Sequence, residues 1–323
     1  MDDERAAVEI LLDCDPGIDD AMAIFYGLLA PEVTIAAIGT VWGNIDVDTA
    51  TVNTLRLLDI AGQPAIPVAR GAGQPLLGPP PVFSGMIHGA DGQGNLLLPA
   101  PAGRPTGESA ADQIVRLGRE RPGELTLVAV GPLTNLALAL AIDPATAGRY
   151  RAVVVMGGCF LVPGNVCPFG EANIWHDPEA AQMVLDAGWP VTLVGLDVTM
   201  TTRVTEAMLA ALAAGGSPTG VHLQRISDVY LTAYADRYGR RECPMHDALA
   251  LAIAADPSLI LDARLTRVDI ELTGTHTRGM TVADLRPWAQ HEHANGRVVL
   301  KAESQRFGDR WMEVLRTGSL IRT

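Results

Sequence analysis

An α/β fold with a mostly parallel, doubly wound central sheet flanked by helices is what this sequence predicts, on three observations. Short apolar runs alternate with helix-length segments over roughly the first two thirds of the chain. Several of those runs are apolar throughout, as strands covered on both faces are. Hydrophobic residues make up 48% of the 323, enough to bury a sizeable core. Strand–helix alternation of this kind builds a parallel sheet through crossover helices.

Taken in order, Val8–Leu12 reads as the first strand, followed by a polar turn and an apolar helix from about Ile18 to Leu29. Val33–Ile38 is the next strand and Thr49–Ala61 the next helix. Residues 71–106 are rich in Gly and Pro and have no periodicity, so a flexible active-site loop is expected there. Helices at Ser109–Glu120, Leu133–Ala141 and Pro178–Ala187 then alternate with strands at Leu125–Val130, Val153–Met156 and Val191–Val194. From about Thr205 to Ala254 the pattern turns mainly helical. Leu265–Leu272, His276–Val282 and Arg297–Leu300 read as strands before a last helix near Ser304–Leu315. Neither a repeat nor a linker interrupts the pattern, so one domain spanning residues 1–323 is expected.

The net charge is −13, and the acidic residues are scattered. That balance disfavours nucleic acid, whose phosphates need clustered Lys and Arg. A small neutral substrate or a bound cation fits better. Residues 1–5 carry no apolar stretch of signal-peptide length, and no run is long enough to span a membrane. Four cysteines (Cys14, Cys159, Cys167, Cys243) form no CxxC pair and are too few for a disulfide framework. A cytoplasmic setting is the expectation.

The most informative segment is Leu12-Asp13-Cys14-Asp15-Pro16-Gly17-Ile18-Asp19-Asp20-Ala21. Four Asp crowd the end of a strand and the start of a helix, where like charges disfavour joint ionisation. A hard cation removes that cost, and an all-oxygen set suits Ca²⁺ or Mg²⁺ rather than Zn²⁺. Pro16 and Gly17 turn the chain so that residues on both sides face one point. Helix capping, the plainer reading, accounts for one or two of the Asp but not for four. An Asp-x-Asp at a strand end also opens haloacid-dehalogenase-type phosphotransferases. The ordered Ser/Thr, Lys and acidic pair that those need are not found here.

The loop Asp13–Ala21 resembles the N-terminal motif of the inosine–uridine-preferring nucleoside hydrolases. The resemblance continues through Gly43-Asn44, Gly131-Pro132-Leu133-Thr134-Asn135, Met156-Gly157-Gly158, Gly164-Asn165-Val166, Glu171-Ala172-Asn173, Met245-His246-Asp247 and Gly279–Asp284. Each piece is short, but their order along the chain is specific. The resemblance implies Ca²⁺ held by Asp15, Asp20, Asp247 and the main-chain carbonyl of Val130. It also implies hydrolysis of free ribonucleosides to ribose and a base, nucleoside catabolism or salvage, and assembly as a homo-oligomer (dimer or tetramer).

That chemistry needs a held ribose, an activated water and help for the departing base, because the sugar becomes oxocarbenium-like. Asp15, beside both ion and water, is the expected general base. Asp19, Asn44, Asn165, Glu171 and Asn173 are expected to bind the sugar hydroxyls, with Met156 beside them in the substrate pocket. His246 either protonates or hydrogen-bonds the leaving base, against the alternative of a structural His. Tyr230 and Tyr234, one helical turn apart, either contact the base or belong to the core. His88, in the Gly/Pro loop, is expected to close over the substrate, as a similar His-Gly loop does in the family.

Other residues read more plainly. His291-Glu292-His293 is a polar turn, and His176 is a neighbour of the Asp177-Pro178 helix start. No partner can be named for His222 or His276. Cys14, between two Asp, is buried and inert. Trp42, Trp175 and Trp288 cannot be placed relative to the pocket, and broad or pyrimidine-leaning base use is expected. The rival of a different class is a catalytically silent, Ca²⁺-dependent ribose or nucleoside binding protein.

Overall fold

The computed structural model describes residues 6–79, 82–83, 85–96, 98–289 and 293–318. Its centre is an eight-stranded sheet in the order β3-β2-β1-β4-β5-β6-β12-β9. The strands are β1 (Val8–Cys14), β2 (Val33–Thr40), β3 (Val68–Arg70), β4 (Thr126–Ala129), β5 (Ala152–Met156), β6 (Val191–Val194), β9 (Ile260–Thr266) and β12 (Gly296–Ala302). All neighbours run parallel except β9, which pairs antiparallel with β12 at the edge.

Alternate residues of β1 show why both faces are covered. Ile10, Leu12 and Cys14 join one buried cluster with α1 (Ile18–Leu29), α9 (Pro218–Tyr238), α10 (His246–Ala255) and α11 (Ser304–Thr317). Leu11 joins the other, with α3 (Ala110–Glu120), α4 (Thr134–Ile142) and α6 (Pro178–Asp186). Burial on both faces is the reason these runs are apolar without alternation. Side chains cap the helix starts: Ser109 accepts from Asp112 N–H at the start of α3. Asp46 does the same twice for α2 (Val47–Ile60).

Two expected strands differ. Leu265–Leu272 breaks at Arg267 into the end of β9 and β10 (Val268–Ile270). Asn295 accounts for the break, accepting the Val268 N–H at 2.7 Å and donating to the Val268 carbonyl at 2.8 Å. Of His276–Val282 only the end is extended, as β11 (Thr281–Ala283), which pairs with β10 in a separate ribbon. The residues before it turn tightly, with Gly279 at φ 84°. Two short elements were not anticipated beside the site: α5 (Ala172–His176) and α7 (Leu196–Thr199). Two more short strands, β7 (Arg203–Thr205) and β8 (Glu242–Pro244), pair with each other, the first at the edge of the region read as mainly helical and the second inside it. No helix among the described residues is long and apolar enough to cross a membrane.

Candidate active site

The acidic loop follows β1 where the sheet order reverses between β1 and β4, the place where open α/β sheets bind ligands. Asp15 directly follows the strand, and Asp19 and Asp20 occupy the first turn of α1; all three are buried. Close packing leaves no room for side chains on the surrounding turns. A Cβ on Gly17 would stand 2.7 Å from His88 Nδ1. On Gly43 a Cβ would stand 2.0 Å from Asp15 Oδ2, and on Gly131 2.8 Å from Asp15 Oδ1. The glycines thus hold Asp15 between two turns.

Capping does account for part of the acidic run. Asp20 Oδ2 accepts the Gly17 N–H at 2.9 Å, and its Oδ1 accepts the Asp15 N–H at 3.2 Å. Asp13 is bound by Asn135 Nδ2 at 2.8 Å and does not line the pocket. The other carboxylates are not explained by capping. Asp19, Asp20 and Asp247 each place an oxygen within 4.8 Å of the others. Asp15 Oδ2 accepts the Asn44 N–H at 2.6 Å, but its Oδ1 and Asp19 Oδ1 are buried without a hydrogen-bond partner.

Burial first, and then repulsion from its neighbours, pushes the Asp15 and Asp247 carboxyls well above the usual carboxylate range. The same causes push Asp20 up to about 7, and burial pushes Asp19 up to about 6. A divalent cation would reverse that penalty, and the donor set is all oxygen, so these residues fit a hard metal ion. The tight triad contains Asp19 in place of Asp15, which sits beside it. The Val130 carbonyl accepts from Asn173 Nδ2 at 2.8 Å and keeps its second lone pair.

Above the acids opens a cavity of about 310 Å³. Of the residues singled out in the sequence, Asp19, Asn44, His88, Val130, Met156, Asn165, Glu171, Asn173, Tyr230, Tyr234, His246 and Asp247 all line it; Asp15 and Asp20 are buried behind. Glu171 caps α5, taking the Asn173, Ile174 and Gly158 amides, and burial still pushes its carboxyl up to about 7. Asn165 Oδ1 accepts the Ala172 N–H at 3.0 Å. Asn173 Nδ2 ties the ends of two strands together by also donating to the Met156 carbonyl.

The opposite wall is aromatic. His246 Nε2 lies 3.2 Å from the Tyr234 hydroxyl, and its Nδ1 lies 2.7 Å from Thr199 Oγ1. Thr199, not Asp247, is therefore its orienting partner. Burial pushes the imidazole down to about 3, so it is neutral near pH 7. Tyr230 reaches toward Asp19 Oδ2 at 3.5 Å and stacks on His88 with ring centroids 5.3 Å apart. His88 Nδ1 accepts the Ile18 N–H at 3.1 Å. It therefore carries no proton there, and its 3.8 Å approach to Asp19 is not an ion pair.

Reasoning from sequence missed three contributors. Gln93 donates to the Gly17 carbonyl at 3.0 Å and pairs with His222 at 3.1 Å, anchoring part of the Gly/Pro loop to both the acidic turn and α9. Thr199 carries no motif at all. His176 ends α5 instead of starting the next helix, Asp177 being that helix's cap, and it lines the cavity. Trp42 is buried, Trp175 and Trp288 are exposed, and none of the three lines the cavity. Cys14 is buried, and burial, then neighbouring carboxylates, raise its thiol far above the usual range. His291 and Glu292 lie outside the described residues.

Residues 10–309 match the inosine-uridine preferring nucleoside hydrolase family. The chain belongs to that family. The inosine-uridine preferring nucleoside hydrolase of Leishmania major is 38% identical over 93% of this chain and 94% of its own. A probable uridine nucleosidase 1 of Oryza sativa subsp. japonica is 38% identical over 87% of this chain and 86% of its own. Among solved structures, a purine-preferring ribonucleoside hydrolase from Gardnerella vaginalis superposes with a TM-score of 0.91 at 31% identity, covering 97% of this chain and all of that one (100%). As a nucleoside hydrolase, the protein cleaves the glycosidic bond between ribose and base.

Proposed function

We propose that this nucleoside hydrolase acts on free ribonucleosides with Ca²⁺ bound by Asp15, Asp20, Asp247 and the Val130 carbonyl, with Asp15 as general base. The observation that carries the reading is the pair of buried, unpartnered oxygens, Asp15 Oδ1 and Asp19 Oδ1, at the floor of a cavity lined by amides and carboxylates. Unpaired buried oxygens are costly, and an ion together with sugar hydroxyls would supply their partners. A bound divalent ion supplies charge that offsets the clustered carboxylates, orients the 2′- and 3′-hydroxyls and acidifies a nearby water.

The chain's own groups then divide the work. Asp15, held through Oδ2 by the Asn44 amide, keeps Oδ1 free to take a proton from water as the water oxygen bonds to C1′. The C1′–N bond breaks, and its electron pair leaves with the base. Asp19, Asn44, Asn165, Glu171 and Asn173 grip the sugar, and Met156 packs beside it. His246, held by Thr199 and touching Tyr234, meets the leaving base together with Tyr230 and Tyr234. His88 covers this end, and the loop at 71–106 closes the pocket as part of a single domain spanning the chain.

Base use is broad or pyrimidine-leaning. Tyrosines and imidazoles carry the base end, and among the described residues no Trp lines the cavity to sandwich a purine. The relatives' names cover both uridine and purine preference. The test is release of reducing ribose from a nucleoside panel, with and without chelator. Release that stops on chelation and returns with Ca²⁺ is expected. Ca²⁺ binding without release from any nucleoside would instead favour a silent binding protein.

A further inference from the structure

We propose that His176 is a specificity-determining residue of this site, hydrogen-bonding the 5′-oxygen of the sugar. The inference rests on the nucleoside hydrolase reading above. Its starting point is a side chain whose ring packs between neighbours while its nitrogens have no hydrogen-bond partner among the described residues. Among the described residues His176 makes no hydrogen bond, and its Nδ1 is buried without a partner. Its ring nonetheless lines the substrate cavity. Burial pushes the imidazole down to about 4, so near neutral pH it offers one N–H donor and one acceptor and no charge. A buried, unpaired imidazole nitrogen is costly, and an occupant of the cavity is the available partner.

Position decides which part of the substrate that is. The cavity has two chemically distinct ends. Tyr230, Tyr234 and His246, from α9 and the start of α10, form the aromatic end that meets the base. His176 lies on α5, one turn beyond Ala172 and Asn173, on the helix that Glu171 caps. Its ring packs against Trp42 at 5.3 Å between centroids, directly before the Gly43-Asn44 turn. His176 therefore belongs to the sugar end. The 2′- and 3′-hydroxyls are the vicinal pair that the acidic floor would engage, which leaves the 5′-hydroxyl for the α5 wall.

The experiment compares kcat/KM for uridine with 5′-deoxyuridine, and for inosine with 5′-deoxyinosine, in the wild type, His176→Ala, His176→Phe and His176→Gln. Phe keeps a ring against Trp42 without a nitrogen, and Gln restores a hydrogen-bonding group. The hydroxyl/deoxy ratio is expected to fall about 3- to 10-fold in the Ala and Phe variants, chiefly through KM, and to recover in part with Gln. A ratio unchanged in both Ala and Phe, whether activity on both sugars drops together or not at all, overturns the assignment while leaving the hydrolase reading intact. A wild type that hydrolyses none of the four overturns both.

Discussion

The two carboxylate oxygens of Asp15 stand in different surroundings. Its Oδ2 is fixed by the Asn44 amide at 2.6 Å, and its Oδ1 is left without a partner. As the proposed general base, Asp15 makes a direct prediction: Asp15→Ala is expected to lower kcat by about 10²–10⁴-fold or more, with an unchanged circular dichroism spectrum. Full turnover in that variant would sink the assignment. His246 gives a complementary prediction. If it serves the departing base, His246→Ala should cost about 10²–10⁴-fold on uridine or inosine. Hydrolysis of p-nitrophenyl riboside, whose leaving group needs no help, should scarcely change. Equal losses on both substrates would make His246 a structural residue.

At the scale of elements, the site is an arrangement of turns against one helix start. Gly43 and Gly131 matter because Asp15 lies where their side chains would be. Gly43→Ala would place a Cβ 2.0 Å from Asp15 Oδ2 and push either the carboxylate or the Asn44 turn away. Displacements of an ångström at a reacting group are worth about 10²-fold, so a loss of that size in kcat/KM is expected, with a weakened response to Ca²⁺. Calorimetric Ca²⁺ titration beside steady-state kinetics checks it. Gln93 works across elements in the same way, binding the acidic turn, its own loop and His222 of α9. Gln93→Leu should raise KM by loosening that junction, and an unchanged KM would mean the loop is held elsewhere.

At the scale of the whole molecule, α11 returns to close the sheet face that begins with β1 and α1. Trp311 donates to the Met22 carbonyl at 3.3 Å, and Arg310 makes a two-pronged ion pair with Glu32, to which Tyr26 also donates. Against partial burial, Arg310 holds the Glu32 carboxyl below its ordinary 4.5. A folded value below the unfolded one means that this stabilisation is fully present above about pH 4.5 and disappears as pH falls through the folded value. The pair is partly exposed, so its worth is about 0.2–1 kcal/mol. Glu32→Gln should lower Tm slightly at pH 7, and the gap to wild type should close toward pH 3. A gap independent of pH would assign the effect to packing.

What the sequence determined by itself was the frame and the acidic centre. Buried strands and amphipathic helices are written locally, in apolar runs and their periodicity, so β1, α1, β6 and α3 could be placed to within a residue or two. The Asp-rich turn was legible because four carboxylates in one loop conflict with electrostatics unless something offsets them. The aromatic wall and the fine positioning were decided only by the tertiary structure. Thr199 meets His246 across 47 residues, and Gln93 meets His222 across 129. His176 reads locally as a neighbour of a helix cap and turns out to face the cavity. Such contacts come from how α5, α7, α9 and the Gly/Pro loop pack around the ends of the strands. Neither periodicity nor spacing records them, because hydrogen-bond partners far apart in the chain leave no mark on the local pattern of either one.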